Sequence, residues 1–513
     1  MASWIPADKR RNVIPRWRDF KPTIELGELN PVPNAKSKAF ANPISPFHTA
    51  KIHDWEAART VKNAIELLNS SIVLDDQEHT LSTASFLKSS RESSVPLKKV
   101  ADQILYPRDT DHSFEQLLNL ERFDKIIGEK IQRLRRCLDH NPYNSISWIE
   151  LARLFLIIGK EESAERCILV AIQLAPDNRY ISRTGSRFFT HVGDYKKAQK
   201  VLKANAAFKT DPWLLSADIG IASLNNKSSF NIKIGRELVA SQNYSPYDLN
   251  ELLSALATEE LNAGSIKNSK RLFNESLINP NDNAVAQAVW AGKHISNLNL
   301  NQGLFDRTPH IFEAKAYNFY YNKSWGPAFS STLQWFIDQP FSSDPAVFGS
   351  FIATSVLEKY DEGIKIAKYG LKSTPNDFTL LNNLTFAYLK NNNIKEAQQT
   401  IAKIHAESLN DHQRVFYLAT KGLLYYKLGQ IEAGETAYNE SSNLAGRTKN
   451  KKLQLLADFH HLIAKVELEK SEQNLLKLDH LVKELEPMNE IYLQDVLNNL
   501  IKKLDAPKTL NIK

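Results

Sequence analysis

Cysteine is almost missing from this chain. Its two copies, Cys137 and Cys167, stand apart with no Cys-x-x-Cys spacing, which excludes a disulfide framework or zinc knuckle and fits a reducing compartment. Long apolar runs are missing too. The longest, around Leu154 to Ile158, falls far short of the roughly 20 residues a membrane-spanning helix needs. The segment Met1 to Arg11 has no apolar stretch behind its charges, so no signal peptide is expected, and its early prolines and Asp8 speak against an amphipathic transit helix. A cytoplasmic location is the expectation.

Catalytic signatures are also lacking. There is no GxxxxGK[ST], GxSxG or HExxH, and no GxGxxG after a strand. Residues 1–140 show neither strand alternation nor a nucleophile beside a base, so a non-enzyme without cofactor is expected. Asp458, His460 and His461 come nearest to a metal cluster. Adjacent histidines on a helix point apart, leaving at most Asp458 and His461 on one face, which is too few donors for a closed zinc site. No metal is expected. A strong charge of one sign is absent as well: 65 Lys plus Arg against 58 Asp plus Glu give +7, a mild bias that falls short of a nucleic-acid coat.

What is present points to a folded, extended architecture. At 513 residues with a hydrophobic fraction of 42%, the chain is too long for one core and too apolar for disorder. Residues 1–53 hold seven of its 21 prolines and read as an extended, basic arm. Residues 54–140 read as a helical region. Asp54 is a candidate N-cap there for a helix through Trp55, Ala58, Val61, Ile65 and Leu68; Ser82 to Ser94 reads as a loop or weakly held helix. Ser113 and Gln116 suggest a capping box before a long helix to Leu138.

From Pro142 the chain becomes periodic. Pro142 and Pro176, Gly159 and Gly193, and Ala164 and Ala198 are each 34 residues apart. Residues 145–178 carry Trp148, Leu151, Ala152, Phe155, Gly159, Ala164, Ile168, Ala171 and Pro176. Small residues at 152 and 164 let two antiparallel helices approach, Gly159 permits the positive φ that ends the first, and Pro176 stops the second. This pattern resembles the tetratricopeptide repeat, with Ala152, Phe155 and Ile168 standing where that family has glycine, tyrosine and phenylalanine. The resemblance covers about 300 residues and implies an all-α solenoid of helical hairpins, a right-handed superhelix with an N-terminal arm and a C-terminal helical cap. Its segments are 141–283 and 309–448, separated by a degenerate unit or insertion at 284–308 and followed by capping helices at 449–513.

The resemblance also implies that places 2, 5, 9 and 12 of each first helix line a groove that binds a protein partner. They supply Arg153, Tyr180, Arg183 and Arg187 in the early units, and Tyr317, Tyr320, Phe348, Phe386 and Tyr426 in the later ones. An extended or amphipathic partner segment is expected, with acidic groups on the arginines and apolar groups on the aromatics. The alternative is that the arginines are solvated and the aromatics pack between units. In the arm, Trp4, Arg10, Arg11, Arg16, Trp17 and Arg18 mix cations with aromatics. Three uses stay open for it: single-stranded nucleic acid, docking on the chain's own helices with Trp17 as anchor, or contact with a partner. The function expected is a non-catalytic interaction scaffold or regulatory subunit; a nucleic-acid-associated helical repeat protein is the alternative.

Overall fold

A computed structural model describes residues 1, 11–19, 46–74, 76–105, 120–469, 471–488 and 490–505, and the described residues form helices without strands. From Ser145 the helices run as antiparallel pairs. Ser145–Ile157 pairs with Glu161–Leu174, Arg179–His191 with Tyr195–Ala204, and the series continues to Asp411–Lys427 with Ile431–Arg447. Most first helices open on a side chain that accepts a hydrogen bond from the first turn: Asn144, Asn178, Asp211, Ser245, Asn281, Asp377 and Asn410. These caps satisfy donors that a helix end leaves orphaned. No described helix is long and apolar enough to cross a membrane.

The turn inside each hairpin demands a left-handed residue. Gly159, Gly193, Gly264 and Gly429 provide it at φ between 74° and 81°. Asn226, Lys323, Glu358 and Asn392 take the same role at φ between 51° and 57°, at the steric cost that glycine avoids. Ala152, Ala164 and Ala198 are fully buried, and the larger Leu151, Phe155 and Ile168 are buried with them.

In four regions the structure corrects or narrows the sequence reading. Pro46 starts a helix, Pro46–Ala57, inside the stretch read as extended, since proline is tolerated in a first turn. Asp54 therefore lies within that helix and caps nothing. The single helix expected through Leu68 breaks at 58–60, where Thr60 accepts from the Asn63 amide and the Asn63 side chain closes on the carbonyls of Asp54 and Ala58. Residues 82–89 belong to a helix, Gln77–Ser89, capped by Asp76. Residues 282–307, read as a degenerate unit or insertion, hold helix Asp282–Ala291, which packs on helix Phe312–Tyr321, and a short helix, Gln302–Arg307, so the 34-residue frame is lost without the fold being interrupted. The suggested capping box at Ser113 and Gln116 lies outside the described residues, whose helix there is Leu120–His140.

After Arg447 come Lys451–Leu468, Glu472–Leu485 and Leu493–Asp505. The last returns to earlier units: the Trp325 indole donates to Asp495 at 2.9 Å, and Tyr492 meets Phe351 edge to face at 5.0 Å. The superhelix also closes on itself. Phe123 contacts the ring of Tyr369, Lys372 pairs with Asp124, and a Cβ at Gly159 would lie 2.3 Å from the Lys372 carbonyl. The inner faces of the first helices thus surround a channel.

Candidate functional site

The channel contains the chain's own arm. Residues 11–19 run without regular secondary structure along the inner faces of helices Pro212–Leu224, Asp282–Ala291 and Phe312–Tyr321. Val13 and Trp17 are fully buried, and Trp17 packs against Phe341 with ring centroids 5.2 Å apart. Main-chain groups are held as well: Asn283 donates to the Ile14 carbonyl at 3.0 Å and Gln287 to that of Arg11 at 2.7 Å. Opposite Val13, helix Pro212–Leu224 carries Gly220, where a Cβ would stand 2.2 Å from the Val13 carbonyl oxygen. Only a residue without a side chain lets the arm's backbone lie this close. Farther along, Met1 is buried between two other first helices; its amine donates to Thr420 Oγ1 at 2.9 Å and Asn382 donates to its carbonyl. Burial holds that amine's pKa well below its ordinary value.

Three arginines of the arm meet three carboxylates of the channel. The Arg11 guanidinium grips both oxygens of Glu313, at 2.8 and 2.9 Å, and donates to Gln287 and Asn283. Arg16 bonds Asp282 at 2.9 Å and also reaches Glu313; Arg18 lies across both oxygens of Asp338 and reaches Asp282. Burial alone would push the Glu313 carboxyl up, but Arg11 and Arg16 hold it at about 2. Asp282 is lowered for the same reason, with Arg18 and Arg16 overcoming its burial. Guanidinium forks on carboxylates are among the strongest charge-assisted hydrogen bonds, and each of these carboxylates would be costly to bury alone. At the arm's exposed end Asp19 bonds Arg153 at 2.5 Å and Lys130 at 3.3 Å.

The residues singled out in the sequence fall into distinct places. Arg153 is buried, paired with Glu150 and with Asp19 of the arm. Arg183 is buried over the Trp213 ring and bonds both oxygens of Glu251, at 2.8 and 3.0 Å. Neither is a solvated cation awaiting an acid. Arg187 lies over Phe341 and borders a cavity of about 120 Å³ between the arm and helices that carry Trp290, Tyr317 and Trp335. Burial, with Arg16 adding repulsion against the pull of Asp344, lowers its pKa to about 10. Tyr180 is buried in its helix. Tyr320, Phe348, Phe386 and Tyr426 are core residues: Tyr320 meets Phe348 at 5.5 Å, Phe386 packs on His460, and the Tyr426 hydroxyl donates to Glu435 at 2.8 Å. Tyr317 alone among the aromatics both packs on Phe348 and borders the cavity. Trp4 and Arg10 lie outside the described residues.

Sequence reasoning passed over the carboxylates, amides and Gly220 that receive the arm. Glu313 stands at place 5 of the unit read as 309–342, the same frame that yields Tyr317 and Tyr320. Asp282, Asn283 and Gln287 sit on helix Asp282–Ala291, in the stretch where the 34-residue frame is lost. Outside the channel, the described residues His48, Asp76 and His79 bring their side chains together; Asp458, His460 and His461 are dispersed, with His461 stacked on Tyr438 at 4.6 Å.

No family model matches the chain, and no curated protein matches it. Solved structures do. The Cut9–Hcn1 hetero-tetramer of the APC/C is 12% identical over 88% of this chain and 92% of that one, with a TM-score of 0.38. Yeast Tom70 is 12% identical over 86% and 96%, with a TM-score of 0.32, and the human IFIT1 dimer with m7Gppp-AAAA is 12% identical over 74% and 95%, also at 0.32. At these values nothing that those proteins bind is carried to this chain. On its own helices, the described part of the chain is an all-α solenoid of antiparallel helical hairpins.

Proposed function

We propose that the protein is a non-catalytic interaction scaffold whose channel is a receptor for an extended segment, filled in cis by residues 11–19. The seating of Arg11, Arg16 and Arg18 on Glu313, Asp282 and Asp338 carries this reading. A receptor that takes one extended peptide through side-chain forks and main-chain amides can take another of the same pattern. The partner segment carries cations for the three carboxylates, an aromatic for the Trp17 seat and an acid for Arg153. It gains entry by displacing the arm, so the arm sets the threshold for binding. The burial of Trp17 and the pairing of its flanking arginines inside the channel work against a nucleic-acid role for this part of the arm, since phosphates and bases would have to compete for groups already engaged.

The test uses the chain without residues 1–19 and a labelled peptide of residues 11–19. Saturable binding is expected to the shortened chain, with much weaker binding to the full chain, whose channel is occupied. A peptide carrying Arg16→Glu and Arg18→Glu is expected not to bind. A shortened chain that keeps its helical circular dichroism yet ignores the native peptide would refute the reading.

A further inference from the structure

Residues 46–105 form four helices with a small core of their own, in which Trp55, Leu67, Leu68 and Leu87 are buried around three alanines. A core of this size rarely stabilises so short a stretch by itself, and natural small modules add a staple. At one edge of this core His48 of helix Pro46–Ala57, Asp76 at the cap of helix Gln77–Ser89, and His79 in its first turn place their ligand atoms within 4.8 Å of one another.

The two oxygens of Asp76 divide their work. Oδ1 accepts from the His79 amide and caps the helix, while Oδ2 faces His48 Nε2 at 2.9 Å and His79 Nδ1 at 2.7 Å. The far side of His48 is held as well: Ser70 Oγ lies 2.8 Å from His48 Nδ1 and 3.0 Å from the Leu67 carbonyl. With the ring hydrogen on Nδ1 facing that oxygen, Nε2 turns a lone pair toward Asp76, the form in which a histidine binds a metal ion. His48 is 3% exposed, and one ion between the three groups would take lone pairs from His48, His79 and Asp76 at once.

We propose that His48 Nε2, Asp76 Oδ2 and His79 Nδ1 bind one divalent first-row transition ion, zinc under cellular conditions, as a staple between helices Pro46–Ala57 and Gln77–Ser89. Imidazole with carboxylate is a donor set suited to zinc, and three protein ligands leave one position for water. Ser70 orients His48 from behind, as groups beyond the metal's own ligands commonly do. Ligands bound to zinc at tetrahedral angles lie about 3.3 Å apart, so Asp76 Oδ2, now 2.9 and 2.7 Å from the two ring nitrogens, need move off each by only about half an ångström, and the ring nitrogens themselves already lie within 4.8 Å of each other. The partly exposed Asp76 and His79 give the ion its way in.

The test is a titration of the chelator-stripped full chain with Co²⁺, read by visible d–d absorption, followed by displacement with Zn²⁺. The wild type is expected to take up one equivalent. Asp76→Asn keeps a cap and His79→Ala removes a partly exposed ring, so both are expected to stay folded and to bind at least about a hundredfold more weakly. Ser70→Ala is expected to weaken binding by about 10–100-fold. With circular dichroism unchanged, a wild type that binds Co²⁺ no better than His79→Ala, including not at all, would overturn the proposal and leave hydrogen bonds from the two rings to Asp76 in its place.

Discussion

Two stretches of the channel solve the same electrostatic problem in different ways. Between Arg179 and Glu251 the buried arginines are paired within the solenoid: Arg179 with Asp211 and Arg183 with Glu251. From Asp282 to Asp338 the carboxylates find their cations in the arm, across sequence separations as large as 320 residues. The first stretch is finished by its own helices. The second is complete only when a separate stretch of chain lies in it. Removing the partner of a buried charge costs more than the pair contributes, so the two stretches should respond differently to loss of an arginine.

The largest effect is expected from Arg183→Ala. It strands Glu251, which is 1% exposed, and should destabilise the solenoid by about 3–5 kcal/mol, measured as a lowered midpoint in urea. Arg18→Ala should instead free residues 11–19 to rapid amide exchange while the urea midpoint of the helices moves much less. Equal responses of the two variants in both readouts would erase the distinction between the stretches.

Acid should separate them next. Glu313 is held at about 2 against an ordinary 4.5. A depressed carboxylate contributes its stability above the ordinary value and loses it as pH falls through the folded one. The arm's hold should therefore be complete above pH 4.5 and fade from there toward 2, seen as rising exchange at residues 11–19. An arm that loosens between pH 7 and 5 would contradict this sign. The smallest effect belongs to Lys130→Ala. Its pair with Asp19 has both partners more than one-third exposed, so salt and water screen it to less than about 1 kcal/mol, and arm protection should barely change.

The hairpins were legible because Gly159 and Gly193 mark two successive turns at one spacing. The signal faded where Asn226, Lys323, Glu358 and Asn392 fill the same left-handed position, since backbone geometry tolerates several residue types there and the sequence pattern keys on glycine. It faded again at 282–307, where a six-residue helix replaces a full second helix. Which inner residues face one another was not legible. Periodicity reports which side of a helix is buried, whereas the pairing of Arg11 with Glu313 depends on how far the superhelix curls. For that reason Arg183 reads as a groove cation in the sequence and stands as half of an internal ion pair in the structure. The acceptors of the arm look like ordinary helix polar residues until the arm is seen against them. His48 and Asp76 likewise carry no motif spacing, and meet only because the break at 58–60 folds one short helix back on the next.

Gly220→Ala tests the central claim most directly. Alanine improves a helix interior by up to about 1 kcal/mol over glycine, so the solenoid itself should lose nothing, while the new methyl would occupy the space 2.2 Å from the Val13 carbonyl. Limited trypsin digestion should then cut readily at Arg11, Arg16 and Arg18 in the variant and slowly in the wild type, with the helical melting curve preserved. An arm equally resistant in both proteins would show that residues 11–19 are not held in the channel as described.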